Sequence, residues 1–138
     1  MDIEGIKKVL PHREPMLLVE EVEVTPEGTA LGRYKVRGEE WFLQGHFPGN
    51  PVVPGVILCE MMAQVCCAFL AERVQGKTPY FTGLDQVRFR QPVKPGDQLE
   101  FECTLVKEKK PFYFAEGKGK VNGKMVVSAS FSFALVEA

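Results

Sequence analysis

Residues 56 to 71 read VILCEMMAQVCCAFLA, a run in which only Glu60 and Gln64 are polar. The run is too long for an ordinary strand. Pro54-Gly55 opens it and Gly76 closes it, which predicts a helix of roughly 20 residues that is apolar nearly all round and so buried on most sides. A membrane span has a similar length. Two polar residues near the middle, in a chain otherwise made of amphipathic strands, argue against that reading.

Around this segment the periodicity changes. Residues 2 to 9 predict a short helix stopped by Pro11, and 17 to 24 (LLVEEVEV) and 29 to 37 (TALGRYKVR) read as strands separated by Pro26-Glu27-Gly28. Further on, Val87 and Phe89 alternate with Arg88 and Arg90. Leu99, Phe101, Cys103 and Leu105 alternate with Glu100, Glu102 and Thr104. Val127, Ala129, Phe131 and Phe133 alternate with Ser128, Ser130 and Ser132. Alternation of this kind marks strands with one buried face. KPGD (94 to 97) and NGK (122 to 124) supply turns between neighbouring strands, the second a tight hairpin. The expected architecture is α+β, an antiparallel sheet curled around one buried central helix.

The chain has 138 residues, 45% of them hydrophobic, which suits one domain over residues 1–138 with a substantial core. A net charge of -1 gives no bulk electrostatic case for nucleic acid or an anionic membrane. Cys59, Cys66, Cys67 and Cys103 lack CxxC spacing, and the only histidines are His12 and His46, so no metal site is expected. These cysteines read as small apolar packing residues suited to a reducing cytoplasm. The N-terminus, MDIEGIKKVLPHREP, has no apolar core of the kind a signal peptide carries.

Immediately before the helix lies GHFPGNPVVPGV (45 to 56), with three glycines, three prolines and one histidine. Proline locks φ and glycine permits angles that other residues avoid, so the segment reads as a rigid, shaped loop. Glu60, in the second turn of a buried helix, is costly unless paired, hydrogen-bonded or protonated. It is either a functional carboxylate or the ion-pair partner of a strand lysine or arginine. Gln64 lies one turn later on the same face and can hold its rotamer. His46 alone would pass for a packing residue. Together with Glu60 and the free amides of the helix N-terminus it makes up a general base, a general acid and an oxyanion site. His12, in LPHREP, lacks such company and reads as a residue that hydrogen-bonds locally.

GHFPGNPVVPGVILCEMMAQ resembles the active-site segment of the FabZ-type (3R)-hydroxyacyl-[acyl carrier protein] dehydratases, which have the hot-dog fold. IKKVLPHREPMLLVEEV, LDQVRFRQPVKPGDQLE and VNGKMVVSASF match the same family in order, so the likeness covers almost the whole chain. The resemblance implies that His46 and Glu60 are the catalytic pair, that the Gly55 amide meets the thioester oxygen and that Gln64 supports Glu60. It also implies dehydration to a trans-2-enoyl thioester in type II fatty acid biosynthesis with no cofactor. Glutamate at 60, rather than the aspartate of FabA-type dehydratase-isomerases, favours simple dehydration. A shared site is implied too, with histidine from one subunit and glutamate from the other, in a homodimer that assembles three-fold into a hexamer.

Glu14 and Met16 depart from the family pattern in LPHREP, and Val53 stands where methionine or phenylalanine is frequent beside the acyl tunnel. Arg88, Arg90 and Lys94 form either a solvated polar face or a docking patch for an acidic acyl carrier protein with its phosphorylated arm. Other classes compatible with this fold are an acyl-CoA thioesterase, an enoyl-CoA hydratase and a non-catalytic acyl-CoA sensor. The GHFPG histidine speaks against the thioesterase, and the sensor would need a DNA-binding segment.

Overall fold

The computed structural model describes residues 1–70 and 76–137. Helix α1 (Ile3–Val9) begins where the Asp2 carboxylate accepts from the Gly5 amide at 2.9 Å, and it buries Ile6. Strands β1 (Glu21–Val24) and β2 (Thr29–Lys35) follow. A short 3-10 turn (Trp41–Leu43) then leads through the proline-rich loop into α2 (Gly55–Phe69). The rest of the described chain is β3 (Lys77–Phe89), β4 (Gln98–Lys109), β5 (Phe112–Val121) and β6 (Lys124–Glu137). The six strands form one sheet in the order β1-β2-β4-β5-β6-β3, with every neighbouring pair antiparallel.

The sheet wraps α2, which packs against β1, β2, β4, β5 and β6. From Ile57 to Ala68 every side chain except Glu60 is buried, as the apolar run requires. The sheet approaches closely because β2 carries Gly32, where a Cβ would stand 2.2 Å from a methyl of Val65. α2 ends at Phe69 with Leu70 as its cap, so it has 15 residues in place of the roughly 20 expected, and residues 71–75 lie outside the described ones. No helix among the described residues is long and apolar enough to cross a membrane. At the other end of the molecule Asn122 and Gly123 both take positive φ, 52° and 77°, and close the β5–β6 hairpin.

Three further expectations need correction. The strand read over 17 to 24 starts only at Glu21, because the Leu18 amide donates to the Gln64 side chain on α2 at 2.8 Å rather than to a neighbouring strand. KPGD joins strands that are consecutive but not neighbours, since β3 pairs with β6 while β4 lies between β2 and β5. Val87 is only half-buried and Phe89 is 54% exposed, because β3 is a sheet edge with nothing of the described chain beyond it.

Candidate active site

The loop before α2 is tightly tied. His46 and Val52 bond reciprocally: the Val52 amide donates to the His46 carbonyl at 2.8 Å, and the His46 ring Nδ1 lies 2.8 Å from the Val52 carbonyl oxygen. Phe47 and Asn50 exchange backbone bonds of 3.0 and 2.9 Å, and Gly45 and Gly49 take positive φ. The Val53 amide anchors the loop to the Val93 carbonyl at 2.8 Å. A carbonyl oxygen can only accept, so Nδ1 carries the proton and Nε2 keeps a free lone pair. Phe47 stacks on the imidazole with centroids 4.1 Å apart. The ring is therefore held both in tautomer and in orientation.

His46 lines a cleft of about 470 Å³ with Val53, Gly55, Leu58, Phe89 and Arg90. Gly55 is the first residue of α2, and the first-turn amides of a helix have no intrahelical acceptor. Glycine lets the Phe89 ring close over the helix start, because a Cβ would stand 2.7 Å from that ring and displace it. The arrangement sets a basic ring nitrogen beside the positive end of a helix, in a cleft with mostly apolar walls.

Glu60 lies elsewhere. Five residues along an α-helix is about 7.5 Å of rise and about 140° of rotation, so Gly55 and Glu60 leave α2 on different sides. Glu60 lines a separate cavity of about 30 Å³ with His12, Gln64, Cys67, Tyr80 and Phe81. Neither of these cavities contains both His46 and Glu60. Gln64, 1% exposed, donates to Glu60 Oε2 and to the Met16 carbonyl, each at 2.8 Å, while its own oxygen accepts from Leu18. Met16 thus meets the site through its backbone, whatever its side chain.

Among the described residues the carboxylate's partners are Gln64 and His12, not a lysine or arginine. His12 Nε2 stands 3.5 Å from Glu60 Oε2, so the reading of His12 as a local hydrogen-bonder does not hold. Two signals for it were present in the sequence: Pro11 and Pro15 bracket His12 much as glycine and proline bracket His46. Burial first, then neighbouring Cys66, Glu60 and Cys103, pushes the Cys67 thiol well above its ordinary range, and burial raises Cys66 to about 12. These thiols are protonated packing groups. No cluster of three or more metal-ligating side chains exists among the described residues. Arg90 sits at the His46 cleft, whereas Arg88 and Lys94 are exposed outside it.

A FabA-like domain matches residues 10–130. The chain is 44% identical over 98% of its length to the 3-hydroxyacyl-[acyl-carrier-protein] dehydratase FabZ of Halalkalibacterium halodurans, 99% of which is covered. It is 45% identical over 94% of its length to the enzyme of that name from Desulfotalea psychrophila, 89% of which is covered. Among solved structures, the dehydratase heterocomplex ApeI:P of Xenorhabdus doucetiae superposes with a TM-score of 0.81 at 23% identity, covering 94% of this chain and 90% of that one. A hypothetical thioesterase with coenzyme A from Streptococcus pneumoniae superposes at 0.63 and 15% identity, covering 85% of each chain. These two likenesses speak to the fold alone. The chain belongs to the FabA-like family and, within it, to the FabZ-type 3-hydroxyacyl-[acyl-carrier-protein] dehydratases.

Proposed function

We propose that this chain removes water from a (3R)-3-hydroxyacyl thioester on acyl carrier protein, giving the trans-2-enoyl thioester in fatty acid biosynthesis. The observation that carries the reading is the His46 ring, fixed by Val52 so that Nε2 is a free base in the cleft that also holds the start of α2. Nε2 takes the C2 proton, which the adjacent carbonyl has made acidic. The developing enolate oxygen is met by the Gly55 amide at the positive end of the helix. As the C2–C3 double bond forms, the C3–O bond breaks and Glu60 protonates the departing oxygen, so that water leaves. Proton transfer from the imidazolium back to the carboxylate resets both groups.

Base and acid lie on different sides of α2, so the complete site draws on two subunits. β3 supports this reading. Among the described residues it is a free edge of 13 residues with Tyr80, Phe81, Leu84 and Phe89 all at least 40% exposed, the mark of an edge that pairs with another chain. Its start (Pro79 to Phe81) borders the Glu60 cavity and its end (Phe89, Arg90) borders the His46 cleft. Antiparallel pairing of β3 with its own copy, centred near Leu84 and Asp85, sets the start of one strand against the end of the other. The His46 of one subunit then faces the Glu60 of its partner. We extend this dimer to a hexamer of three such pairs, acting in a reducing cytoplasm where its four buried thiols stay free.

The test is to incubate the protein with 3-hydroxyacyl carrier-protein substrates of several chain lengths while following enoyl absorbance and free thiol. Enoyl product without thiol release supports the dehydratase. Thiol release in place of enoyl product identifies a thioesterase and overturns the reading.

A further inference from the structure

Among the described residues Gln64 is one of two side chains that meet the Glu60 carboxylate; the other is His12, which comes from the N-terminal segment. The path of that segment is fixed from several directions. The Arg13 guanidinium folds back over the end of α1 and donates to the carbonyls of Lys7, Leu10 and His12 at 2.9, 2.9 and 2.7 Å, satisfying the open Lys7 acceptor of the last turn and tying down the chain that follows. Downstream, Trp41 Nε1 donates to the Pro15 carbonyl at 2.9 Å, and Gln64 holds Met16 and Leu18. Pinned at both ends over the middle of α2, the segment lays the His12 ring against Glu60, with Nε2 3.5 Å from Oε2.

The other ring nitrogen, Nδ1, is buried and has no hydrogen-bond partner among the described residues. A proton there would be an N–H with no acceptor, which is costly to bury. The tautomer that suits the site carries its proton on Nε2, directed at Glu60. Gln64 then donates to Oε2 at 2.8 Å while the His12 N–H faces the same oxygen at the longer distance of 3.5 Å. Donors on Oε2 leave no room for a proton there, so when Glu60 serves as the acid its proton is carried on Oε1.

We propose that His12 is a positioning residue for Glu60: with Gln64 it engages Oε2 and so assigns delivery of the proton to Oε1. This rests on the reading of Glu60 as the acid of a dehydration, and the experiment separates the two. Steady-state dehydration is measured for the wild type and for His12→Phe, His12→Asn and His12→Gln, with a thermal melt of each. The glutamine amide nitrogen reaches the place of Nε2, the asparagine amide only that of Nδ1, and phenylalanine fills the space without a donor. The expected result is a fall in kcat of about tenfold for Phe and Asn, the loss of one donor that orients a neutral carboxyl group, with KM little changed. Gln should recover most of the rate, and the melts of all three should stay close together. Wild-type kcat in His12→Phe overturns the inference, as does loss of rate in all three variants in proportion to lost stability. A rise in KM alone also overturns it. If the wild type itself forms no enoyl product, the dehydratase reading fails first.

Discussion

The carbonyl of Val52 decides which nitrogen of His46 carries the proton, and the donors on Oε2 orient Glu60, so each group has a separate structural origin. Their substitution should therefore remove chemistry and leave the fold in place. His46→Ala takes a half-buried loop ring away and should lower dehydration by at least about a hundredfold with an unchanged melting temperature. Glu60→Gln keeps size and hydrogen bonding but delivers no proton, and it should be equally inactive, while Glu60→Asp retains part of the rate. Turnover by Glu60→Gln equal to that of wild type would assign the carboxylate a structural task. Much of this was legible in sequence, because GHFPG, the helix start and the glutamate five residues on lie within one short segment. The meeting of His12 with Glu60 was not legible, since periodicity carries no information on which distant loop crosses a helix face.

At the scale of elements, α2 and its sheet are fitted through small residues. Gly32 on β2 lies against Val65, which is fully buried, so Gly32→Ala overpacks the contact and should cost about 1–3 kcal/mol in denaturant unfolding. Val65→Ala in the same chain relieves the clash, so the double variant should be less destabilised than the sum of the two singles. Strict additivity would mean that the two positions do not press on each other. The burial of α2 could be read from its apolar run, and the β5–β6 turn from Asn-Gly. The exposure of Phe89 could not, because alternation marks the face that is buried without saying whose chain buries it. Strand β1 was read too long for a related reason: Leu17 to Val19 are buried, but Leu18 spends its amide on Gln64.

For the whole molecule, a net charge of -1 leaves recognition of an acidic carrier to local patches. Arg88 and Lys94 are exposed beyond the cleft, whereas Arg90 helps to line it. Arg88→Ala/Lys94→Ala should raise KM for a carrier-protein substrate and weaken its salt dependence, with a short pantetheine thioester unaffected. Arg90→Ala should impair both substrates. If the first variant also impairs both alike, the docking surface lies elsewhere. The larger claim at this scale is that the acid and base of one site belong to two subunits, joined along β3. Mixing inactive His46→Ala and Glu60→Gln proteins under conditions of demonstrated subunit exchange tests it most directly. Half of the dimers are then mixed and each holds one intact site of two, so the account predicts recovery of about a quarter of wild-type activity. No recovery, with exchange verified, would contradict it.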